Sequence, residues 1–410
     1  MILTCKRPVL LLLLLLLLAA PMTASAEEHC GALIDTEEGP AMPAEAVCPG
    51  SAVPQGTISN PTIQRSDQAA WEAFAEVSSP QPSKRVKNYP FWRSWPEISE
   101  IFPAAPTPDR PPAWKTVADI EHSFNGRRSL LQTLRMEGSE TAPSTSCSIF
   151  ASGASEVRMN QAAFKYIIDR QLWFTSGKRA SFESGLAANL PADAVIVKAN
   201  WITLTQAESA LAKTIDIEHY YWQQDTRGNT WLLISLQIMK KSLPQWFWSS
   251  FEHKDNPCFN RFLKTSDQFA TTDKGKMSGK LLQTFRKKRL NSKLWSHYAL
   301  NGTMSSFTTP QGRPFILGNS VSEFGLQTTS SCLTCHARAS TDATGDATLM
   351  PLTAMGQSYY GTPDPGWFFS GFTPVVQPIF QPVDFLWSLA LCPNAVGSKT
   401  QNCPLDAVTP

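Results

Sequence analysis

The chain has 410 residues, and its 36 lysines and arginines against 34 aspartates and glutamates leave a formal net charge of +2. Bulk charge so close to balance identifies no class of partner. An apolar content of 42% is enough for a large core, in one domain or in two. No apolar stretch approaches the roughly 20 residues of a membrane-spanning helix, which argues against a membrane anchor.

The N-terminus has the features of a secretory signal peptide. Lys6 and Arg7 precede an apolar run over residues 9–20, and the small residues at 24–26 form a cleavage site. We therefore predict that residues 1–26 are removed and that the mature chain begins at Glu27. Cleavage removes two positive charges, so the net charge falls to zero. A bacterial periplasm is the expected location.

The first part of the mature chain is rich in proline, alanine and serine. Residues 27–83 are predicted to form an extended leader, with little regular structure before Ser66. Five prolines in residues 102–112 indicate a stiff connector. We therefore assign residues 27–112 to a leader and connector, followed by an exposed helix over 113–138.

Hydrophobic periodicity predicts one amphipathic helix over residues 160–177. Asn160 is its expected cap, and Gly177 is its expected stop. The residues on its apolar face are Phe164, Ile167, Ile168 and Leu172. This helix should pack on the core.

After this helix the pattern changes to the alternation of β-strands. Residues 194–204 form the first predicted strand. Two further β-type runs, 220–224 and 231–240, flank turn residues at 225–229 and predict a hairpin. A fourth strand is expected to include residues 246–248. The centre of the protein should therefore be an antiparallel sheet.

Together these patterns predict an α+β fold in two parts. Residues 113–325 should form a central antiparallel sheet with packed helices. Residues 326–410 should form a loop-rich C-terminal segment. From Pro351 onward that segment alternates prolines with aromatic residues, which is typical of a chain that wraps around a core.

The stretch 274–293 contains eight lysines and arginines and no acidic residue. It allows two interpretations. The first is a solvated helix face around Leu281, Leu282 and Phe285, and the second is a docking patch for an acidic protein partner.

The sequence Cys332-Leu333-Thr334-Cys335-His336 is the attachment signature of c-type haem. Two thiols on one helical turn bond to the two vinyl groups of haem, and the adjacent imidazole becomes an axial iron ligand. A thioredoxin-like pair would need a βαβ context, and a zinc site would need a second pair of ligands. Neither is found, so we predict one covalent haem c held by Cys332, Cys335 and His336.

The second axial ligand of the iron has several candidates. Met350 and Met355 are the only methionines after the motif, and we take Met350 as the expected ligand. His253 and His297 are alternatives from upstream. An open sixth site is the remaining possibility.

Six cysteines of the mature chain lie outside the haem motif, and in an oxidising compartment they should form three disulfides. Fifteen connectivities are possible for six cysteines. Proximity in sequence favours Cys30–Cys48 and Cys392–Cys403, which leaves Cys147 to pair with Cys258.

Three motifs together resemble a known group of proteins. They are VKANW at 197–201, PQWFWSSFEHKDN at 244–256 and SSCLTCHA at 330–337. In combination they resemble exported bacterial mono-haem c-type cytochrome-like proteins, over about residues 160–387. That resemblance implies a covalent haem but no particular activity. In layout, a sheet followed by a late haem motif is also similar to small β-sheet haem proteins that bind gases or oxidise hydroxylamine.

Two functions fit these patterns best. The first is one-electron transfer with a periplasmic dehydrogenase, oxidase or carrier as redox partner. The alternative is a haem enzyme with an open iron site that acts on peroxide, a nitrogen oxide or another small substrate, with Glu252 and His253 as acid and base. A competing interpretation places Glu252, His253 and Asp255 in a turn with an Asp255–Lys254 ion pair. A non-catalytic haem sensor or accessory subunit is a third possibility, and nucleic acid is not an expected partner.

Overall fold

The computed structural model describes residues 66–82, 88–103, 108–115, 153–259, 267–272, 275–323, 327, 330–346, 360–370 and 377–392. Over these residues the fold is α+β, as predicted, with helices packed on a central antiparallel sheet. The predicted signal peptide, most of the predicted helix over 113–138, and the methionines Met350 and Met355 lie outside the described residues.

The central sheet is antiparallel throughout, in the order β1-β2-β4-β5-β6. Strand β3 pairs with the first residues of β4, 230–232. The predicted strand over 194–204 and the predicted hairpin over 220–240 are confirmed. The predicted strand at 246–248 is β5, which begins at Phe247 and runs on to His253. The strands are β1 (Ala154–Met159), β2 (Val195–Thr203), β3 (Trp222–Gln224), β4 (Thr230–Lys240), β5 (Phe247–His253) and β6 (Tyr298–Met304).

Short helices surround this sheet, and the C-terminal segment adds two small two-stranded ladders, β7 with β10 and β8 with β9. The helices are α1 (Ser66–Val77), α2 (Ile98–Ile101), α3 (Gln161–Asp169), α4 (Thr175–Glu183), α5 (Leu204–Leu211), α6 (Gly279–Lys287), α7 (Ser292–Trp295), α8 (Cys332–His336) and α9 (Trp387–Leu391). The 3₁₀ turns are Phe91–Ser94, Ile217–His219 and Pro365–Phe368. The short strands are β7 (Ser340–Thr341), β8 (Phe369–Ser370), β9 (Gln377–Pro378) and β10 (Gln381–Pro382).

The single helix predicted over 160–177 is two helices in the structure. Asn160 caps α3 as predicted, because its side-chain oxygen accepts from the backbone N–H of Ala163 at 3.1 Å. The chain then turns at Gln171, whose φ of 56° lies in the left-handed region and ends the helix. Gly177 lies inside α4, where an added Cβ would be 1.8 Å from the carbonyl oxygen of Gln171. Gly177 therefore permits a close turn and does not stop a helix.

Residues that the sequence places in the leader contribute to the core. Trp71 and Phe74 on α1 contact Phe251 of β5, with ring centroids 4.9 and 4.6 Å apart. Arg93 is buried, and its guanidinium donates to both carboxylate oxygens of Glu156 on β1 at 2.7 Å. Helix α1 and the segment around Arg93 are therefore packed against the sheet. Helix α1 was assigned to the leader from the sequence because its high alanine content hid its apolar face.

Two cysteines in the described residues outside the haem motif form disulfides, namely Cys258 and Cys392. Their predicted partners Cys147 and Cys403 lie outside the described residues, as do Cys30 and Cys48. The three pairings therefore stay predictions.

Strand β5 is buried over its whole length and separates two environments. Trp248 and Glu252 point to one side, which we call the motif face because the Cys-x-x-Cys-His segment lies on it. Phe247 and Phe251 point to the other side, which we call the helix face because α1 and α6 pack there. His253 follows the alternation onto the helix face.

Candidate functional site

The Cys-x-x-Cys-His motif forms the single-turn helix α8. Ser331 caps it, since its hydroxyl oxygen accepts from the backbone N–H of Thr334 at 3.2 Å. The Ser331 hydroxyl also lies 3.2 Å from the sulfur of Met304, the last residue of β6. These contacts hold the helix against the motif face, and they place Cys332 and Cys335 on one turn, as the sequence predicted.

Neither thiol of the motif is in a disulfide. Burial raises the pKa of Cys335 to about 11 and that of Cys332 well above its usual range. Dithiol catalysts need the opposite, a lowered thiol pKa, so the interpretation as a redox pair loses support. Among the described residues there is also no group of three or more His, Cys, Asp or Glu side chains that could hold a metal ion. A zinc site on this pair has no further protein ligands there.

One ring nitrogen of His336 forms a hydrogen bond within the fold, and the other keeps a lone pair that could bind a metal. Its Nδ1 lies 2.8 Å from the carbonyl oxygen of Phe385. Because a carbonyl can only accept, Nδ1 carries the proton and Nε2 keeps its lone pair. Burial lowers the pKa of His336 to about 4, so the ring is neutral at neutral pH. The ring lies edge-on to Trp248, with centroids 4.6 Å apart. This is the tautomer and charge state that an axial iron ligand requires.

The carbonyl that orients His336 is itself held by a buried ion pair. Asp384, the residue before Phe385, accepts from Nζ of Lys241 at 2.5 Å, and both side chains are buried. Its other carboxylate oxygen accepts from the backbone N–H of Leu190 at 2.6 Å. The indole N–H of Trp246 lies 3.1 Å from the carbonyl oxygen and 3.2 Å from a carboxylate oxygen of Asp384. We call these contacts the Asp384 clamp.

The clamp holds an unfavourable backbone conformation. Asp384 and Phe385 have φ values of 53° and 65°, in the left-handed region that non-glycine residues rarely adopt. Sequence reasoning missed Lys241 and Asp384, which are 143 positions apart. No local pattern pairs two residues so distant, although Trp246 lies in a motif that the sequence analysis singled out.

A second part of the motif face is polar. Glu252 is fully buried and accepts from the backbone N–H of Ser320 at 2.8 Å, from its hydroxyl at 2.5 Å and from the amide of Asn256 at 2.9 Å. Burial raises the pKa of Glu252 to about 7, and the nearby charge of Glu323 acts in the same direction. This carboxyl therefore titrates near neutral pH.

The segment 318–323 lies on this polar area through further side-chain hydrogen bonds. The amide of Asn319 donates to the Ser250 hydroxyl at 3.0 Å. The amide of Asn200 donates to the hydroxyls of Ser235 at 2.6 Å and Ser322 at 3.2 Å. All five side chains are buried. A buried polar layer of this kind is expensive unless it is satisfied, so its presence beside the motif marks a functional candidate that sequence reasoning did not find.

His253 has no nitrogen left for an iron. Its Nδ1 accepts from the backbone N–H of Asp255 at 3.1 Å, so Nε2 carries the proton and donates to the carbonyl oxygen of His219 at 3.1 Å. The ring stacks on Tyr220 with centroids 3.6 Å apart. Burial lowers the pKa of His253 to about 3. Because His253 also lies on the helix face, this geometry disagrees with its proposed roles as ligand and as catalytic base.

The structure also alters the other interpretations that the sequence left open around β5. Glu252 and His253 belong to β5 and not to a turn. Asp255 pairs with Lys213 at 3.5 Å, so the expected pairing with Lys254 is wrong. His297 stacks on His219, with centroids 3.9 Å apart, on the same side as His253.

The chain has no significant match among protein-family models, curated proteins or solved structures. Within the described residues, no helix has the length and apolarity needed to cross a bilayer.

Proposed function

We propose that this chain is an exported, periplasmic c-type haem protein that carries one haem, attached through Cys332 and Cys335 with His336 as an axial ligand. The observation that supports it most is the bond from Nδ1 of His336 to the carbonyl oxygen of Phe385. That bond leaves Nε2 as the only nitrogen able to bind iron, beside two thiols that are not in a disulfide.

One-electron transfer is the function that these residues support with the fewest additional requirements. When bound, the haem supplies an iron that changes by one electron between its ferric and ferrous states. Cys332 and Cys335 would anchor it by two thioethers, His336, oriented through the Asp384 clamp, would bind its iron, and Trp248 with the surrounding apolar cluster would keep water away. The partner would be a periplasmic dehydrogenase, oxidase or electron carrier.

A haem enzyme is the second candidate, and the buried Glu252 is the observation that favours it. A carboxyl with a pKa of about 7 can give or take a proton near neutral pH. It lies on the same face of the sheet as the haem motif, and Glu323 lies near enough to affect the pKa values of Glu252, Cys332 and Cys335. His253 is removed from this hypothesis, so Glu252 would act with the hydroxyl of Ser320.

Haem attachment is tested by expressing the chain in a host with cytochrome c maturation. We expect one covalently bound haem per chain, visible in denaturing gels. Cys332→Ala with Cys335→Ala should give a colourless protein, whereas Ser184→Ala, outside the motif, should keep the haem. Covalent haem in the double variant, or none in the unaltered chain, would contradict the assignment.

Carbon monoxide separates the two candidate functions. If both axial positions are filled, the reduced protein should resist the gas, and its spectrum should not change. If the sixth position is open, the spectrum should shift on addition. Met350→Ala and Met355→Ala, each compared with the unaltered chain, would show whether a methionine fills that position. Resistance to carbon monoxide that disappears in Met350→Ala would identify Met350 as the ligand.

A further inference from the structure

The basic side chains of the stretch 274–293 that the structure describes are all exposed. Helix α6 begins at its cap Ser278 and buries Leu281 and Phe285 against the helix face, which confirms the amphipathic interpretation. The basic side chains before its cap, on its other side, in the following turn and on α7 are exposed. These residues, which we call the basic surface, are Lys276, Lys280, Arg286, Lys287, Lys288, Arg289 and Lys293.

The positive charge of the basic surface is unpaired within the described part of the chain. No salt bridge there involves any of its seven cations. Two acids on α1, Glu72 and Glu76, line a groove with Lys287 and Lys288. Glu76 is already 3.8 Å from Lys240. A strong local excess of positive charge therefore remains on a chain whose mature form is neutral overall.

The position of this surface argues against an electron-transfer contact. Phe285 of α6 packs on Trp71, and Trp71 contacts Phe251 on the helix face. His336 contacts Trp248 on the opposite face. The whole sheet and both of its side-chain layers therefore separate the basic surface from the haem motif. A redox partner docked on the basic surface would be separated from the haem motif by the sheet, which does not favour direct electron transfer.

The composition of the surface argues against a specific protein interface. Such interfaces are centred on buried aromatic residues and arginines, and lysine is depleted in them. Here five of the seven cations are lysines on flexible stems. The exposed large apolar side chains of the described residues are Phe91, Leu186, Phe369 and Ile379, and none belongs to the basic surface. A lysine-rich surface without an exposed apolar side chain is better matched to a surface that presents many mobile anionic groups than to a single protein interface.

We propose that the basic surface binds the anionic headgroups of a phospholipid bilayer. The contact is electrostatic, without insertion into the hydrocarbon, and each cation near such a surface strengthens binding about fivefold. Because the haem motif lies on the opposite face, membrane binding would leave that face directed away from the bilayer. This inference does not depend on the haem, since the surface consists of residues of the chain alone.

The test is co-sedimentation of the mature, haem-loaded protein with lipid vesicles. We expect binding to vesicles of equal parts phosphatidylglycerol and phosphatidylcholine at low salt, with release at high salt, because exposed charges are screened. Vesicles of phosphatidylcholine alone should not bind. The triple variant Lys280→Glu, Arg286→Glu, Lys287→Glu should lose at least about a hundredfold in affinity, which follows from about fivefold for each cation.

A matched variant controls for net charge. Lys165→Glu, Arg170→Glu and Arg227→Glu change exposed cations elsewhere by the same total charge and should leave affinity within about twofold. Equal losses in both triple variants, or no binding to phosphatidylglycerol at low salt, would overturn the proposal. Binding to soluble polyglutamate but not to vesicles would also overturn it, in favour of an acidic protein partner. Circular dichroism should show that both variants remain folded.

Discussion

Nζ of Lys241 lies 2.5 Å from a carboxylate oxygen of Asp384, and this buried pair fixes the residue that orients His336. Lys241 follows the last residue of β4, and Asp384 precedes the carbonyl of Phe385 that accepts from Nδ1 of the imidazole. The orientation of His336 is therefore set from outside the Cys-x-x-Cys-His motif.

Removing one partner of this pair should destabilise the protein. Asp384→Asn leaves the ammonium of Lys241 buried without its counter-charge, and breaking a buried pair in this way costs about 3–5 kcal/mol. Urea unfolding measures the loss. We also expect the haem to stay attached but its reduction potential to rise, because a less firmly held Nδ1–H makes the imidazole a weaker donor.

An exposed ion pair provides the control for that experiment. Lys165 and Asp169 are also 2.5 Å apart, but their side chains are 71% and 57% exposed. Asp169→Asn should cost less than about 1 kcal/mol and leave the potential unchanged. If Asp384→Asn is equally mild, the buried pair has no special role in holding Phe385.

Replacing Glu252 by glutamine should change how stability depends on pH. The folded pKa of about 7 lies above the usual 4.5, so between those values the folded state holds a proton that the unfolded state has lost. Stability should therefore fall as pH rises through this window, by about 3 kcal/mol in all. Glu252→Gln should lack this component when urea unfolding is compared at about pH 5 and pH 8. Identical pH profiles would contradict the assignment.

Replacing His253 should leave the haem spectrum unchanged. Both of its ring nitrogens form hydrogen bonds within the fold, so His253→Ala should lower stability by about 2–4 kcal/mol. The response of the protein to carbon monoxide should not change. Its pKa of about 3 lies below the ordinary 6.5, so its contribution to stability is present above pH 6.5 and is lost as pH falls toward 3. A spectral change in this variant would return His253 to the list of iron ligands.

Replacing Arg93 tests whether the segment 88–95 belongs to the core. Although burial opposes the ionisation of Glu156, the charges of Arg93 and Arg158 hold its pKa below the usual value. Arg93→Met should reduce stability by about 3 kcal/mol at neutral pH. Arg110→Met, whose side chain is 87% exposed, should change stability by less than about 0.5 kcal/mol. Equal effects would indicate that the segment packs only loosely.

The sheet was the most predictable part of the fold. Alternation in 194–204 and the turn residues at 225–229 reflect strand geometry directly, and both predictions are confirmed. The end of α3 was not predictable, because the φ of Gln171 depends on its contact with Gly177 and not on local propensity. In the same way, α1 is held by aromatic packing from distant strands.

The candidate site likewise has a part that local sequence spacing predicts and a part that only tertiary contacts create. Cys332, Cys335 and His336 could be predicted as haem-binding residues because covalent attachment constrains residue type and spacing within five positions. Asp384, Lys241 and the layer of hydroxyl and amide groups around Glu252 come together only through tertiary contacts. His253, offered by the sequence only as an alternative ligand or base, lies on the other face because an alternating strand sends neighbouring residues to opposite faces, and the sequence did not say which face bears the motif.

The burial of Cys332 has a consequence for how the protein is made. Only 9% of this residue is exposed, and its thiol donates to the carbonyl oxygen of Leu317. Under the proposed function, an assembly enzyme would have to reach that sulfur to form a thioether, and it could do so only while residues 330–346 are still undocked from the sheet. Haem attachment would then precede final folding, and the folded protein would enclose the thioether.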